Sequence, residues 1–111
     1  MFAWGTDDQD GFASSWSITA YAICADPLPG LHSVSENSVF DSNVQKRGAP
    51  RCTDQPGQVS LGIGWGIGGS GQVAAVFGRS DSVAGTVIAS EDDDGYVENW
   101  SITVTVRCAN L

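Results

Sequence analysis

The feature that most restricts what this chain can fold into is a segment written twice. Thr6–Ala25 (TDDQDGFASSWSITAYAICA) returns near the C-terminus as Ser90–Ala109 (SEDDDGYVENWSITVTVRCA). The copies agree at Asp8/Asp92, Asp10/Asp94 and Gly11/Gly95, over Trp16–Thr19 against Trp100–Thr103, and at Cys24-Ala25 against Cys108-Ala109. A repeat built from a strand pattern and a tight acidic turn points to an all-β architecture. The chain holds one full period, 28–111, and the tail of another, 1–27. The N-terminal segment therefore needs a partner sheet, in its own chain or in a neighbour.

Side-chain alternation carries the argument further. Trp100, Ile102, Val104, Val106 and Cys108 point one way, and Ser101, Thr103, Thr105 and Arg107 the other, which is the period of a half-buried strand. The first copy keeps the inner set as Trp16, Ile18, Ala20, Ala22 and Cys24, so Trp16 and Trp100 both read as core. Its outer face differs, with Tyr21 and Ile23 in place of Thr105 and Arg107. A strand apolar on both faces is covered on both, so residues 20–24 are expected centrally in a sheet or under another subunit. Asp10-Gly11 and Asp94-Gly95 supply the positive φ of hairpin turns, which predicts strands over about 2–6, 15–24, 84–91 and 98–108. Further strands are expected near 31–40, 46–52, 57–67 and 71–78, and Pro27–Gly30 reads as a linker or sharp turn. No helix is expected. The predicted fold is a single all-β domain, an antiparallel β-sandwich or prism-like module with an internal partial repeat.

One predicted strand is unusual. Leu61, Ile63, Trp65 and Ile67 share a face, while Gly62, Gly64, Gly66 and Gly68 leave the other bare. Each interior glycine costs roughly 0.5–1 kcal/mol relative to alanine, so four in register suggest a flat face approached closely by another layer. A twisted strand with room to bend is the alternative. Gly64–Gly69 formally spells G-x-G-x-x-G, but a dinucleotide site needs a helix after it and the sequence continues as strand.

Charge and cysteine content exclude several functions. Five Lys+Arg against thirteen Asp+Glu give a net charge of -8, which repels nucleic acid and anionic membranes. The one basic cluster, Lys46, Arg47 and Arg51, reads as a solvated strand edge. No apolar run approaches the roughly 20 residues that span a bilayer. Met1 is followed by neither a charged nor an apolar leader region, so the sequence reads as a chain freed of its leader or one that uses no secretion pathway, as with phage structural proteins. Cys24 and Cys108 are equivalent in the two copies, so Cys52 is expected to pair with one of them. Cys52–Cys108 lies within the full period and is favoured, with Cys24–Cys52 the alternative. Scattered thiols and a lone His32 do not make a zinc site.

With a single histidine and no G-x-S-x-G elbow, the chain reads as non-enzymatic and His32 as an exposed strand-end residue. Asp92 and Asp94 sit on one turn, not across a cleft as hydrolytic carboxylate pairs do. The acidic turns are candidate Ca2+ ligands, Asp7, Asp8 and Asp10 in one copy and Asp92, Asp93 and Asp94 in the other, since this ion takes six to eight oxygens. Solvated loop tips are the plainer reading, and the spacing fits no EF-hand. Trp4, Trp65 and Tyr96 are candidates for stacking on a glycan. No other cofactor is expected.

Four segments, Asn99–Thr103 (NWSIT), Glu91–Tyr96 (EDDDGY), Ala20–Ala25 (AYAICA) and Gly69–Val73 (GSGQV), resemble the Cys/Gly-rich β repeat modules of actinobacterial extracellular proteins. Similar modules occur in phage tail and fibre proteins. The resemblance spans nearly the whole chain, with Cys52 and Pro29-Gly30 in the places such repeats use. It implies a virion-surface or extracellular location and says little about activity. Taken with the incomplete first copy, the doubly apolar strand, the bare glycine face and the odd cysteine, it leads to an expected structural role in assembly. A phage capsid decoration, head-fibre or tail-surface component with protein partners, as a homo-oligomer or surface assembly, fits best. A secreted, lectin-like binding module is the alternative.

Overall fold

The computed structural model of the protein describes residues 2–7, 10–52, 56–69 and 73–111. Six strands follow in chain order: β1 (His32–Asn37), β2 (Gln45–Gly48), β3 (Gln58–Gly68), β4 (Val73–Ser80), β5 (Gly85–Glu91) and β6 (Ser101–Asn110). No helix occurs among the described residues. The strands form two antiparallel three-stranded sheets, ordered β1-β6-β3 and β2-β5-β4.

The middle strand of each sheet carries the strictest apolar alternation, and these two faces meet. Val87 and Ala89 of β5 pack on Ile102 and Val104 of β6 and on Trp100 just before it, with Ile63, Ile67 and Val76 closing the margins. The fold is thus an antiparallel β-sandwich. Each wholly buried Val or Ile side chain contributes about 1.5–3 kcal/mol. Two glycines let the layers approach. A Cβ on Gly85 would run into the Ile63 side chain, and one on Gly48 into Val104.

β6 is flanked on both sides, with Val106 opposite Val34 and Ile63, and Cys108 opposite His32 and Ser60. The β3–β6 register slips between Ser60 and Gly62, so Leu61 is the extra residue of a bulge and stays partly exposed. Beyond it Ile63, Trp65 and Ile67 pair on the Val106–Ile102 side, and the glycines on the other. Cys52, in the β2–β3 connection, is bonded to Cys108 and buried beside Val106. The bridge spans 56 residues, a loop whose closure stabilises by about 4 kcal/mol on the chain-entropy account.

The acidic turns are not the hairpins that the sequence suggested. The Asp92–Gly95 turn, closed by the Gly95 amide donating to the Asp92 carbonyl at 3.0 Å, leads from β5 in one sheet to β6 in the other. The chain crosses the sandwich as an arch. An arch sets the apolar sides of β5 and β6 face to face, where a hairpin would set them side by side. The expected strands over 2–6 and 15–24 carry no ladder either, since no strand occurs among residues 2–7 and 10–27. Extended chain becomes a strand only beside a hydrogen-bonding neighbour, and this arm has none in ladder register. The radius of gyration, 15.9 Å, exceeds the roughly 13 Å of a compact chain of this length, in keeping with an arm that leaves the sandwich.

Candidate functional site

Every described residue from Phe2 to Pro27 is exposed, although this is one of the most apolar stretches of the chain. Tyr21 is 79% and Ile23 97% exposed. Nothing among the described residues covers these two, which the sequence placed centrally or under a neighbour. Trp16, expected in a core, is 49% exposed, whereas its counterpart Trp100 is fully buried. The reason is the missing flank: Trp100 packs with Val87 and Ala89 of the opposite sheet and is bridged to Asp41, whereas no strand flanks Trp16 among the described residues of the arm. Cys24 is an exposed free cysteine.

Within the arm the local geometry parallels the β5–β6 arch. Gly11 has φ 70° and Gly95 φ 71°. The Phe12 amide donates to the Asp7 carboxylate at 3.4 Å, and the Tyr96 amide to the Glu91 carboxylate at 3.1 Å. Gly5 faces the rings of Trp16 and the tip of Ile18, as Ala89 belongs with Trp100 and Ile102 in the core. The two limbs of the arm come together where Gly5 lies against the Trp16 ring.

A second surface is the glycine lane of β3. Gly62, Gly64 and Gly66 stand opposite Arg107, Thr105 and Thr103, and a Cβ on any of the three would meet open space. Gly68 differs, because its added Cβ would press on the Ser101 hydroxyl. Around the lane the face is polar: Ser35 bonds Thr105 at 2.7 Å, Thr103 donates to Asn37 at 2.8 Å and Arg107 donates to Ser33 at 2.8 Å.

The described candidate calcium ligands do not converge. Among the described residues, no group of three or more His, Cys, Asp or Glu is placed to hold a metal ion. Asp8 lies outside the described residues. In the C-terminal turn the anchoring carboxylate is Glu91, which accepts from the Trp100 indole at 2.8 Å and from the Tyr96 amide. The stacking candidates are also dispersed: Trp4 lies on the arm, Trp65 on β3 against Gly78, and Tyr96 packs on the core cluster with its hydroxyl donating to Glu98.

Lys46 corrects the reading of a solvated basic edge. It is 4% exposed, with its ammonium donating to the Asp41 carbonyl at 3.0 Å and paired with the Asp41 carboxylate. The same nitrogen lies 5.2 Å from the centre of the Trp100 ring, a cation–π contact. β2 alternates with Lys46 and Gly48 inward and Gln45 and Arg47 outward. Gln45-Lys46-Arg47-Gly48 has no apolar alternation, so the sequence carried no signal of the buried lysine. A polar cleft of about 340 Å³ adjoins, lined by Glu36, Asp41, Asn43, Gln45, Lys46 and Arg47 among others. His32 is half-buried, its Nδ1 2.8 Å from the Gly30 carbonyl.

No family model, curated protein or solved structure matches this chain.

Proposed function

We propose that this chain is a non-enzymatic building block of an extracellular or virion surface, and that it works by joining other polypeptide. One observation carries the reading. A sandwich with a closed core and a buried disulfide carries an arm whose Phe2, Trp4, Phe12, Trp16, Ile18, Tyr21 and Ile23 are all about half exposed or more. Large apolar side chains left exposed together on one segment mark a site of association, since an isolated chain gains by covering them. The disulfide fits an oxidising location, and no helix among the described residues is long and apolar enough to cross a membrane. Within that class, a capsid decoration, head-fibre or tail-surface component suits a small acidic module with a bonding arm.

Light scattering on a sizing column, paired with a glycan array, tests the proposal. The expected result is association that rises with concentration, falls when Trp16 and Ile18 are replaced by serine, and comes with no glycan signal. A chain that stays monomeric and binds glycans through Trp65 overturns it in favour of a lectin-like module.

A further inference from the structure

We infer that the arm is the β5–β6 arch of a second sandwich. Its partner is a polypeptide that supplies strands like β1–β4, with a cysteine at the place of Cys52 and no strand of its own in the β6 position. The inference deepens the assembly reading and rests on it.

Sequence, local geometry and exposure agree on this. Residues 6–25 repeat the sequence of 90–109, and the arm repeats the φ of the turn glycine and the amide-to-carboxylate bond of the arch. Exposure is inverted between the copies. Trp100, Ile102, Val104, Val106 and Cys108 are wholly buried, and Trp16, Ile18, Ala20, Ala22 and Cys24 are all exposed. The arm thus has the residues and the bend of a central strand and lacks the two flanking strands and the facing sheet that such a strand has here.

The register of β6 specifies the fit. Cys24 would stand opposite the partner's equivalents of His32 and Ser60, Ala22 opposite those of Val34 and Ile63, and Ala20 opposite those of Glu36 and Trp65. Ala20 and Ala22 stand where Val104 and Val106 lie, and the smaller side chains enter the same place without overpacking. Tyr21 and Ile23 fall where Thr105 and Arg107 lie, opposite Gly64 and Gly62. Large side chains lying across cross-strand glycines would fill the space that the lane leaves open. An intact copy of this chain cannot take the arm as a strand in this way, because its own β6 fills the place, so association of the parent chain with itself is arm against arm.

Cys24 would then repeat the bond of Cys108. Two thiols become one disulfide by exchange with a small-molecule disulfide such as oxidised glutathione, which takes up the two electrons and two protons as two thiols.

The test is a tandem chain in which an extra copy of residues 28–85 is joined to Phe2 of the full sequence, so that Phe2 takes the place of Thr86. After oxidation in glutathione buffer the native tandem should show no reactive thiol. Peptide mapping should find Cys24 bonded to the added copy's Cys52, and amide exchange over 16–24 should slow by about a hundredfold or more relative to the parent chain. The Cys24→Ser tandem should keep the slowed exchange, since the strand's place does not depend on the bond. The inference is overturned if two thiols react while Cys52–Cys108 forms, if residues 16–24 exchange as in the parent, or if the tandem precipitates where the parent stays soluble. These outcomes leave the association and glycan measurements on the parent untouched, so the two readings fall separately.

Discussion

The indole N–H of Trp100 donates to Oε1 of Glu91 at 2.8 Å, across the turn that carries the chain from one sheet to the other. Trp100 is fully buried, so its donor has no water to turn to, and Glu91 Oε2 takes the Tyr96 amide as well. One carboxylate therefore holds both ends of the arch. Glu91→Ala should cost about 2–3 kcal/mol, the penalty for stranding a buried donor and losing a charge-assisted bond. Glu91→Gln keeps an acceptor and should cost about 1 kcal/mol. Urea unfolding followed by Trp fluorescence measures both.

Lys46 and Asp41 form a pair in which the cation is buried and the carboxylate partly exposed. Lys46→Ala should destabilise by about 2–4 kcal/mol, since it opens a void beside Trp100 and removes the partner of Asp41. Lys46→Met with Asp41→Asn should recover more than half of that loss, because an apolar stem of similar volume needs no counter-charge. Denaturation midpoints of the two variants decide the matter.

Gly85 and Gly64 should respond oppositely to alanine. A methyl at Gly85 strikes Ile63 between the sheets and should cost about 2–3 kcal/mol by forcing the layers apart. At Gly64 it enters open space, and the change should be neutral or stabilise by about 0.5–1 kcal/mol through strand propensity. Thermal melts of the two variants compare directly.

Asp81 sits at the β4–β5 turn with Oδ1 accepting from the Val83 amide at 2.9 Å and the Ala84 amide at 2.8 Å. The Val83 bond, then that of Ala84 and the charges of Arg51 and Arg79, hold its carboxyl below the ordinary value against an opposing effect of burial. A depressed folded-state pKa contributes stability that is complete above about pH 4 and is lost as pH falls through the lower folded value. The stability difference between the wild type and Asp81→Asn should therefore shrink below about pH 4 and be constant above pH 5. Urea midpoints from pH 6 down to the acid limit of folding check this.

Much of the sandwich was legible from alternation alone. Trp100 to Cys108 write out a strand whose inner face is apolar at every second residue, and the glycines of β3 reveal their bare side in the same way. What pairs with what was less legible. Asp94-Gly95 sets a local φ that suits a hairpin and an arch equally, and the choice between them lies in the distant packing of Val87 and Ala89 on Trp100. Lys46 was misread because a charge reads as solvent-facing until its partners, Asp41 and the Trp100 ring, are brought in by the fold. The arm was legible as a strand that wants covering. Period two records which face a strand would bury, not whether its neighbours belong to the same chain.

The bond between Cys52 and Cys108 has a mechanical consequence. Force applied to the two ends of the chain passes from Cys108 directly to Cys52, bypassing the residues between them, which include β3, β4, β5 and nearly all of β6. Under load only the arm, β1, β2 and the last few residues can lengthen, and the greater part of the sandwich stays slack until the sulfur bridge is reduced.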